Sequence, residues 1–302
     1  MKVLVTGGCG FVGSNLVDHL VSLGHQVLVI DNLSAGKKEY CNDKADYIFA
    51  DIKNIFNKSL HDLAISRIIK KSQATFLRNV NIVYHLAAEA RIQPSFKHPL
   101  YTCYNNSYGT ALMCEYARKN NCKLVYAGSS SFYGGVYLNP YAFAKWQGEE
   151  VIKMYSNVYN LKSSIARFFN VYGPRNPEIG QYTPVVAIFE RQKKQNQPLT
   201  IIGDGEQRRD FTHVDDICRG LIAISEGDYL AEVFNLGTGK NFSINELAAM
   251  FGGPTKHLSP RPGESQETLA DITKTTRLTG WRPTIKIEDY IRECLGENRD
   301  AK

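Results

Sequence analysis

An α/β fold built on a doubly wound parallel sheet is what three features of this 302-residue chain predict. Short runs rich in valine and isoleucine, the pattern of strands buried on both faces, recur through the first half and alternate with stretches of helical apolar spacing. The first run opens directly into glycines at 7, 10 and 13 and then into such a stretch. Past residue 168 the alternation gives way to turn-rich sequence (Gly173-Pro174, Asn176-Pro177, Gly180, Pro184), which marks a second, smaller mixed α/β lobe. The expected division is a Rossmann-type domain over 1–167, with 211–238 returning to it, and a lobe formed by 168–210 and 239–302.

Bulk composition narrows the class. With 43% hydrophobic and 22% charged residues the chain reads as an ordinary globular protein. No apolar run approaches the roughly 20 residues of a membrane span, and the start reaches a glycine loop by Gly7, so no leader and a cytoplasmic location are expected. The seven cysteines are odd in number, scattered and without a C-x-x-C pair, which argues for reduced thiols and against a disulfide frame or a metal site. A net charge of +6, not gathered into long basic runs, suits a small anionic substrate at least as well as nucleic acid and by itself decides nothing; the partner expected is a small molecule, with neither nucleic acid nor membrane.

Taken in order, Lys2–Thr6 is the first strand, and Leu16, Val17, Leu20, Val21 and Leu23 mark a helix stopped by Gly24. Between them Gly7, Gly10 and Gly13 meet the demands of a dinucleotide loop: a tight turn, close approach of backbone to a pyrophosphate, and close helix-to-strand packing. Phosphate is expected at the helix N-terminus, against Phe11 and Val12. Gln26–Ile30 is the second strand and ends in Asp31, 18 residues past Gly13, with Asn32 beside it. A carboxylate there accepts hydrogen bonds from the adenosine ribose and repels a 2′-phosphate, so NAD is expected rather than NADP. Lys37 and Lys38, the counter-argument, read as loop surface.

Tyr47–Ala50 suggests a third strand followed by Asp51 and Ile52, where Asp51 either receives the adenine amino group or closes a turn. Residues 60–79 read as a helix. Ile82–Ala88 is another buried strand whose end, Leu86-Ala87-Ala88, leaves room for a flat cofactor ring, and His85 within it reads as a packed histidine rather than a catalytic one. After a helix over Tyr101–Lys119, the strand Lys123–Ala127 delivers the hydroxyls of Ser129, Ser130 and Ser131 to the same crevice. Tyr141 and Lys145, four apart, then share one face of a helix. A phenol with an unperturbed pKa of about 10 is a poor base, and a nearby cation favours the phenolate and permits base catalysis near neutrality.

Together these pieces resemble the extended short-chain dehydrogenase/reductase family, and within it the nucleotide-sugar 4-epimerases. The resemblance rests on Thr6 through Gly13, Asp31-Asn32-Leu33, His85 through Ala88, Asn106-x-x-Gly109-Thr110, Ser129 to Ser131 and Tyr141-x-x-x-Lys145. It continues through Arg167 to Arg175, Gly203-Asp204-Gly205, Arg209-Asp210-Phe211 and Arg261-Pro262-Gly263-Glu264, in order over almost the whole chain. It implies that Tyr141 takes the proton from a sugar 4-hydroxyl while hydride leaves C4 for NAD, that Lys145 holds the nicotinamide ribose, and that Ser129 shares the sugar oxygen. It also implies Asn106 among the cofactor contacts, and Asn170, Arg209 and Arg261 on the diphosphate of a UDP-linked sugar, with Leu199–Ile202 along the pyrimidine.

The same resemblance limits the reaction. Related 4,6-dehydratases carry an Asp-Glu pair after the catalytic hydroxyl and related decarboxylases a glutamate in that loop; Ser130 and Ser131 stand here, facing substrate, so epimerisation is implied. Thr268 falls where galactose-type epimerases gate the sugar pocket, and its small size implies that N-acetyl sugars fit beside glucose and galactose. Relatives pair as homodimers through helices near 101–119 and 141–158, where Leu112, Met113, Tyr116, Trp146 and Tyr155 suit either a bundle or a core. The neighbouring readings are a UDP-glucuronate 4-epimerase, a dehydratase or a decarboxylase. The distant one is a non-catalytic dinucleotide- or RNA-binding member of the fold.

Overall fold

The computed structural model describes residues 1–57, 69–177 and 183–296. Its strands are β1 (Lys2–Thr6), β2 (Gln26–Asp31), β3 (Asp46–Phe49), β4 (Ile82–His85), β5 (Lys123–Ser129), β6 (Ser163–Phe168), β7 (Val171–Tyr172), β8 (Leu199–Ile202), β9 (Arg208–Asp210), β10 (Thr212–His213), β11 (Leu230–Leu236), β12 (Asn241–Ser243) and β13 (Thr255–Leu258). Seven of them form one sheet in the order β11-β6-β5-β4-β1-β2-β3, every pairing parallel. The expected α/β class with a doubly wound Rossmann-type sheet is thus observed. The chain runs outward from β1 to β3, then restarts at β4 on the other side of β1. That reversal opens a crevice beyond the carboxyl ends of β1 and β4.

The helices are α1 (Phe11–Ser22), α2 (Ile52–Phe56), α3 (Lys71–Leu77), α4 (Ile92–Lys97), α5 (Pro99–Cys103), α6 (Gly109–Asn120), α7 (Ser131–Gly134), α8 (Pro140–Tyr159), α9 (Val185–Lys194), α10 (Val214–Glu226), α11 (Ile244–Phe251), α12 (Thr273–Thr279) and α13 (Ile287–Cys294). Alternation along the strands supplies both faces of the sheet. Val3, Val5, Val27 and Val29 meet Leu16 and Leu20 of α1 and Ile217 and Leu221 of α10. Leu4, Leu28, Ile30 and Leu124 meet Met113 and Ala117 of α6 and Ile152 of α8. Each fully buried aliphatic side chain contributes roughly 1.5–3 kcal/mol. A third core joins Tyr172, Phe189, Leu199, Ile201, Phe211, Leu247, Phe251 and Ile291, the β8–β13 and β9–β12 pairings lying in the same part of the chain.

Several boundaries differ from expectation for identifiable reasons. The strand expected over 82–88 stops at His85, because the Ala87 amide leaves the ladder for the Thr6 hydroxyl. The helix expected from 101 starts at Pro99 and passes through one wide π-type turn, Tyr104–Tyr108. In the returning segment 211–238 the helix starts only at Val214: Thr212 and His213 first pair with β7, and His213 Nδ1 then caps the helix by accepting from Asp215 N at 3.2 Å. Of the helix expected over 60–79 the described part is α3, and residues 58–68 lie outside the described residues.

Candidate active site

At the crevice a cavity of about 770 Å³ gathers residues from the loop after β1 and from β2, β5, β6 and α8. Its cofactor-side wall is the glycine loop. A Cβ on Gly13 would lie 2.1 Å from the Gly7 carbonyl oxygen, so α1 reaches β1 only because residue 13 is glycine. α1 begins at Phe11 with Gly10 as its N-cap and without a side-chain cap, which leaves the first-turn N–H groups of Phe11, Val12 and Gly13 beside the cavity they line. Asp31 lines the same wall, Oδ2 accepting from Cys9 N at 2.9 Å and Oδ1 from Leu33 N at 2.7 Å. Each oxygen keeps a lone pair for ribose hydroxyls. Lys37 pairs with Glu39 at 3.0 Å and Lys38 lies over the Phe49 ring; neither lines the cavity.

Asp51 sits at a turn that borders the cavity. It caps α2 by accepting from Lys53 N at 2.8 Å, and it lines the cavity together with Asn32 and Ile52. Lys53, which sequence reasoning passed over, lines it too and is paired with Asp51 at 2.9 Å.

The middle wall, Leu86 to Ala88, is held by a buried relay. The Ala87 amide donates to Thr6 Oγ1 (3.3 Å), which lies 2.7 Å from His85 Nδ1, while His85 Nε2 lies 3.3 Å from Thr110 Oγ1. Thr110 donates to Asn106 O at 2.6 Å, and the Asn106 side chain clamps both backbone groups of Glu89, at 2.7 and 3.0 Å. His85 is accordingly neutral, its pKa pushed down to about 3 by burial and then by the Lys145 charge. The expectation of a packed rather than catalytic His85 agrees with this placement. Asn106 departs from expectation: its side chain is spent on Glu89 and it is not among the cavity-lining residues.

α8 carries Tyr141 and Lys145 into the cavity. Asn139 caps it, Oδ1 accepting from Ala142 N at 2.7 Å, and Pro140 opens its first turn. The helix lies hard on β5: a Cβ on Gly148 would sit 2.5 Å from the Tyr126 hydroxyl. That contact brings Tyr141 against Ser129, whose oxygen also accepts from Ser131 N (3.2 Å) and Ser131 Oγ (2.9 Å). Ser130 and Ser131 line the cavity with it. Burial raises the Tyr141 phenol above its ordinary value and the hydrogen bond from Ser129 pulls it back. The Lys145 ammonium lies 4.5 Å from the Tyr126 ring centroid, and burial lowers its own pKa to about 8 against the opposing pull of Glu149. Glu149, one turn on, is buried against Arg167 through two hydrogen bonds of 3.0 and 2.5 Å.

Ser95 and Gln93, also missed from sequence, tie the loop after β4 to the rest: Ser95 Oγ accepts from Tyr141 N at 3.1 Å and Gln93 Nε2 donates to Pro262 O at 3.0 Å. On the far wall Asn170 Nδ2 donates to Asp210 O (2.9 Å) and Thr268 Oγ1 (3.1 Å), and Thr268 is buried. Arg209 lines the cavity with its guanidinium bonded to the carbonyls of Arg208 and Gln266 at 2.9 and 3.3 Å; burial lowers its pKa. Arg261 is not brought to this wall. It is exposed and lines an adjoining concavity of about 300 Å³ that shares Asn170 and Glu264 with the main one. Among the described residues no cluster of His, Cys, Asp or Glu is placed to hold a metal, and no helix is long and apolar enough to cross a membrane.

Set beside known proteins, residues 3–237 match the sequence model of the NAD dependent epimerase/dehydratase family. A putative UDP-glucose 4-epimerase of Methanocaldococcus jannaschii is 34% identical over 317 residues, covering 97% of each chain. Among solved structures, UDP-glucose 4-epimerase of Thermotoga maritima with UDP-glucose superposes with a TM-score of 0.86 at 30% identity, covering 98% of both chains. A UDP-N-acetylglucosamine 4-epimerase of Methanobrevibacter ruminantium, in complex with UDP-N-acetylmuramic acid, gives 0.84 at 32% identity over 98% of this chain and 97% of that one.

Proposed function

From the premise that the chain belongs to the NAD dependent epimerase/dehydratase family, an enzyme family whose cofactor is NAD, we propose that it inverts C4 of a UDP-linked hexose by transient oxidation to the 4-keto sugar. The observation that carries this reading is the meeting of Ser129, Tyr141 and Lys145 in one cavity with a glycine cradle at its other end. NAD, when bound, supplies a hydride acceptor and donor together with a positive ring that favours a neighbouring phenolate. Tyr141 takes the proton of the 4-hydroxyl and later returns it to the opposite configuration; Ser129 hydrogen-bonds the same oxygen as it becomes a carbonyl. Lys145 holds the nicotinamide ribose. Asp31 takes the adenosine ribose hydroxyls and the amides of Phe11, Val12 and Gly13 the pyrophosphate.

On this reading residues 1–167 with 211–238 hold NAD, and 168–210 with 239–302 hold the nucleotide sugar. Arg209 and Asn170 face the diphosphate from one wall and Arg261 from the neighbouring concavity. Ser130 and Ser131 bring hydroxyls and no carboxylate, which supports epimerisation over dehydration or decarboxylation. Thr268, small and buried, leaves space for an N-acetyl group, so we include UDP-N-acetylglucosamine among the substrates. A homodimer is part of the proposal: Leu100 is 87% exposed and Val158 63%, with Tyr101, Tyr104 and Tyr159 also exposed on α5, α8 and the turn between α5 and α6. A cytoplasmic location fits seven free cysteines.

The experiment is to purify the protein, identify any nucleotide released on denaturation, and assay interconversion of UDP-glucose with UDP-galactose and of their N-acetyl forms by chromatography, with light scattering for mass. Released NAD and turnover of at least one pair are expected. No turnover of any UDP-hexose by NAD-loaded protein would contradict the reading.

A further inference from the structure

Beneath the glycine cradle lies a pair of thiols that the chemistry above does not use. Cys9, between Gly8 and Gly10, is buried, and Cys41, just past the 3₁₀ turn Lys38–Tyr40, is half-buried. Their sulfur atoms stand 3.7 Å apart, a contact no other pair of cysteines makes among the described residues. Each thiol sits on a fixed backbone. Cys9 N donates to Asp31 Oδ2 at 2.9 Å and Cys9 O accepts from Lys37 N at 3.0 Å. Cys41 N donates to Lys38 O at 3.1 Å, and the next residue, Asn42, donates from its side chain to Asp18 on α1 at 2.6 Å and from its amide to the Tyr47 hydroxyl at 2.7 Å. The two sulfurs therefore face each other across the junction of two cavity walls: Gly10 to Gly13 on one side, and Asp31, Ser34, Ala35 and Gly36 on the other. Neither cysteine itself lines the cavity.

We propose that Cys9 and Cys41 are a modification site: they form a reversible disulfide on exposure to a hydroperoxide, and that bond weakens the hold of the glycine cradle on NAD. The inference rests on the cofactor reading given above. In the first step the Cys41 thiolate attacks the peroxide; an S–O bond forms, the O–O bond breaks, and the released oxygen leaves as water or alcohol with the Cys41 proton. In the second, the Cys9 sulfur attacks the sulfenic sulfur of Cys41, the S–S bond forms, and hydroxide departs with the Cys9 proton as water. Two thiols thus lose two electrons and two protons, and hydrogen peroxide is reduced to two waters. Cys41 acts first because it is the accessible one; burial and the neighbouring Asp31 charge push the Cys9 thiol well above its ordinary value. A disulfide needs its sulfurs about 2.05 Å apart, so the pair closes by roughly 1.7 Å. Cys9 moves with a loop whose amide bond to Asp31 and whose neighbour Gly10 belong to the cofactor wall.

The test uses full-length wild type, Cys41→Ser and Cys9→Ser, each treated with hydrogen peroxide and then freed of it. Peptide mapping scores the Cys9–Cys41 linkage, and calorimetry measures the Kd for NAD before treatment, after it, and after dithiothreitol. The expected result is a linked peptide in wild type alone and a Kd raised by about five-fold or more, restored by dithiothreitol. Cys41→Ser should bind NAD as untreated wild type does and ignore peroxide. Absence of the linked peptide overturns the proposal, and so does a linked peptide with an unchanged Kd. The peptide readout needs no cofactor, so a protein that took no NAD even when reduced would contradict the functional reading while the linkage was still scored separately.

Discussion

The glycine-loop wall of the cavity is made within the first 36 residues, from one glycine loop and the strand end at Asp31, whereas the opposite wall joins Asn170 to Thr268 across 98 residues. In the first, close packing does the work: there is no room for a Cβ at Gly13, and the groups turned to the cavity are uncapped backbone amides. In the second, buried polar side chains stitch distant segments. Asp210 alone accepts from Thr238 N (2.8 Å), Thr238 Oγ1 (2.6 Å), Gly239 N (2.9 Å) and Ala270 N (3.1 Å). α8, tied to α4 through Ser95 and to Gly263 through an Asn139 bond of 3.0 Å, sits between the two. The difference teaches that the cofactor wall breaks by steric intrusion and the substrate wall by an unpaired polar group.

The largest effect is expected at the first wall. Gly13→Val should abolish measurable NAD binding in calorimetry, because its Cβ alone would stand 2.1 Å from the Gly7 oxygen; normal NAD affinity would show that the cradle is not the phosphate site. Tyr141→Phe, between the walls, should lower kcat about 10³-fold while leaving the Kd for NAD within a factor of about two, a split that separates chemistry from binding. Asp210→Ala strands three backbone N–H groups, and thermal denaturation should reveal a loss of about 3 kcal/mol. Since the cradle is built without Asp210, folded Asp210→Ala at low temperature should keep its NAD affinity; parallel loss would erase the contrast between the walls.

How far these walls could be read from sequence follows from the same contrast. Gly7, Gly10, Gly13 and Asp31 were legible because a contiguous stretch of chain makes the contacts. Tyr141 and Lys145 were legible because one helix turn fixes their spacing. Two placements were not legible: the Asn106 side chain is taken up by the Glu89 backbone, and Arg261 lines the adjoining concavity rather than the main one. Ser95, Gln93 and Lys53 carried no signal, since their partners at Tyr141, Pro262 and Asp51 are set by loop packing between segments.

Smaller effects sharpen the picture at each wall. Thr268→Tyr should lower turnover of UDP-N-acetylglucosamine relative to UDP-glucose by about ten-fold, and an unchanged ratio would remove Thr268 from sugar selection. The mildest concerns the His85 relay behind Leu86 to Ala88. Its folded pKa of about 3 lies below the ordinary 6.5, so the unfolded chain binds the extra proton between those values. Its stabilising contribution is complete above pH 6.5 and is lost as pH falls towards 3. Denaturant titrations should show a shallower acid dependence for His85→Gln than for wild type.

The most direct measurement of the central claim follows the hydrogen at C4. UDP-glucose carrying deuterium at C4 is converted in ordinary water, and the product is read by NMR. Oxidation to the 4-keto sugar with return of the same hydride predicts UDP-galactose that retains deuterium at C4. Product with protium at C4 would show exchange with solvent and contradict hydride return to C4.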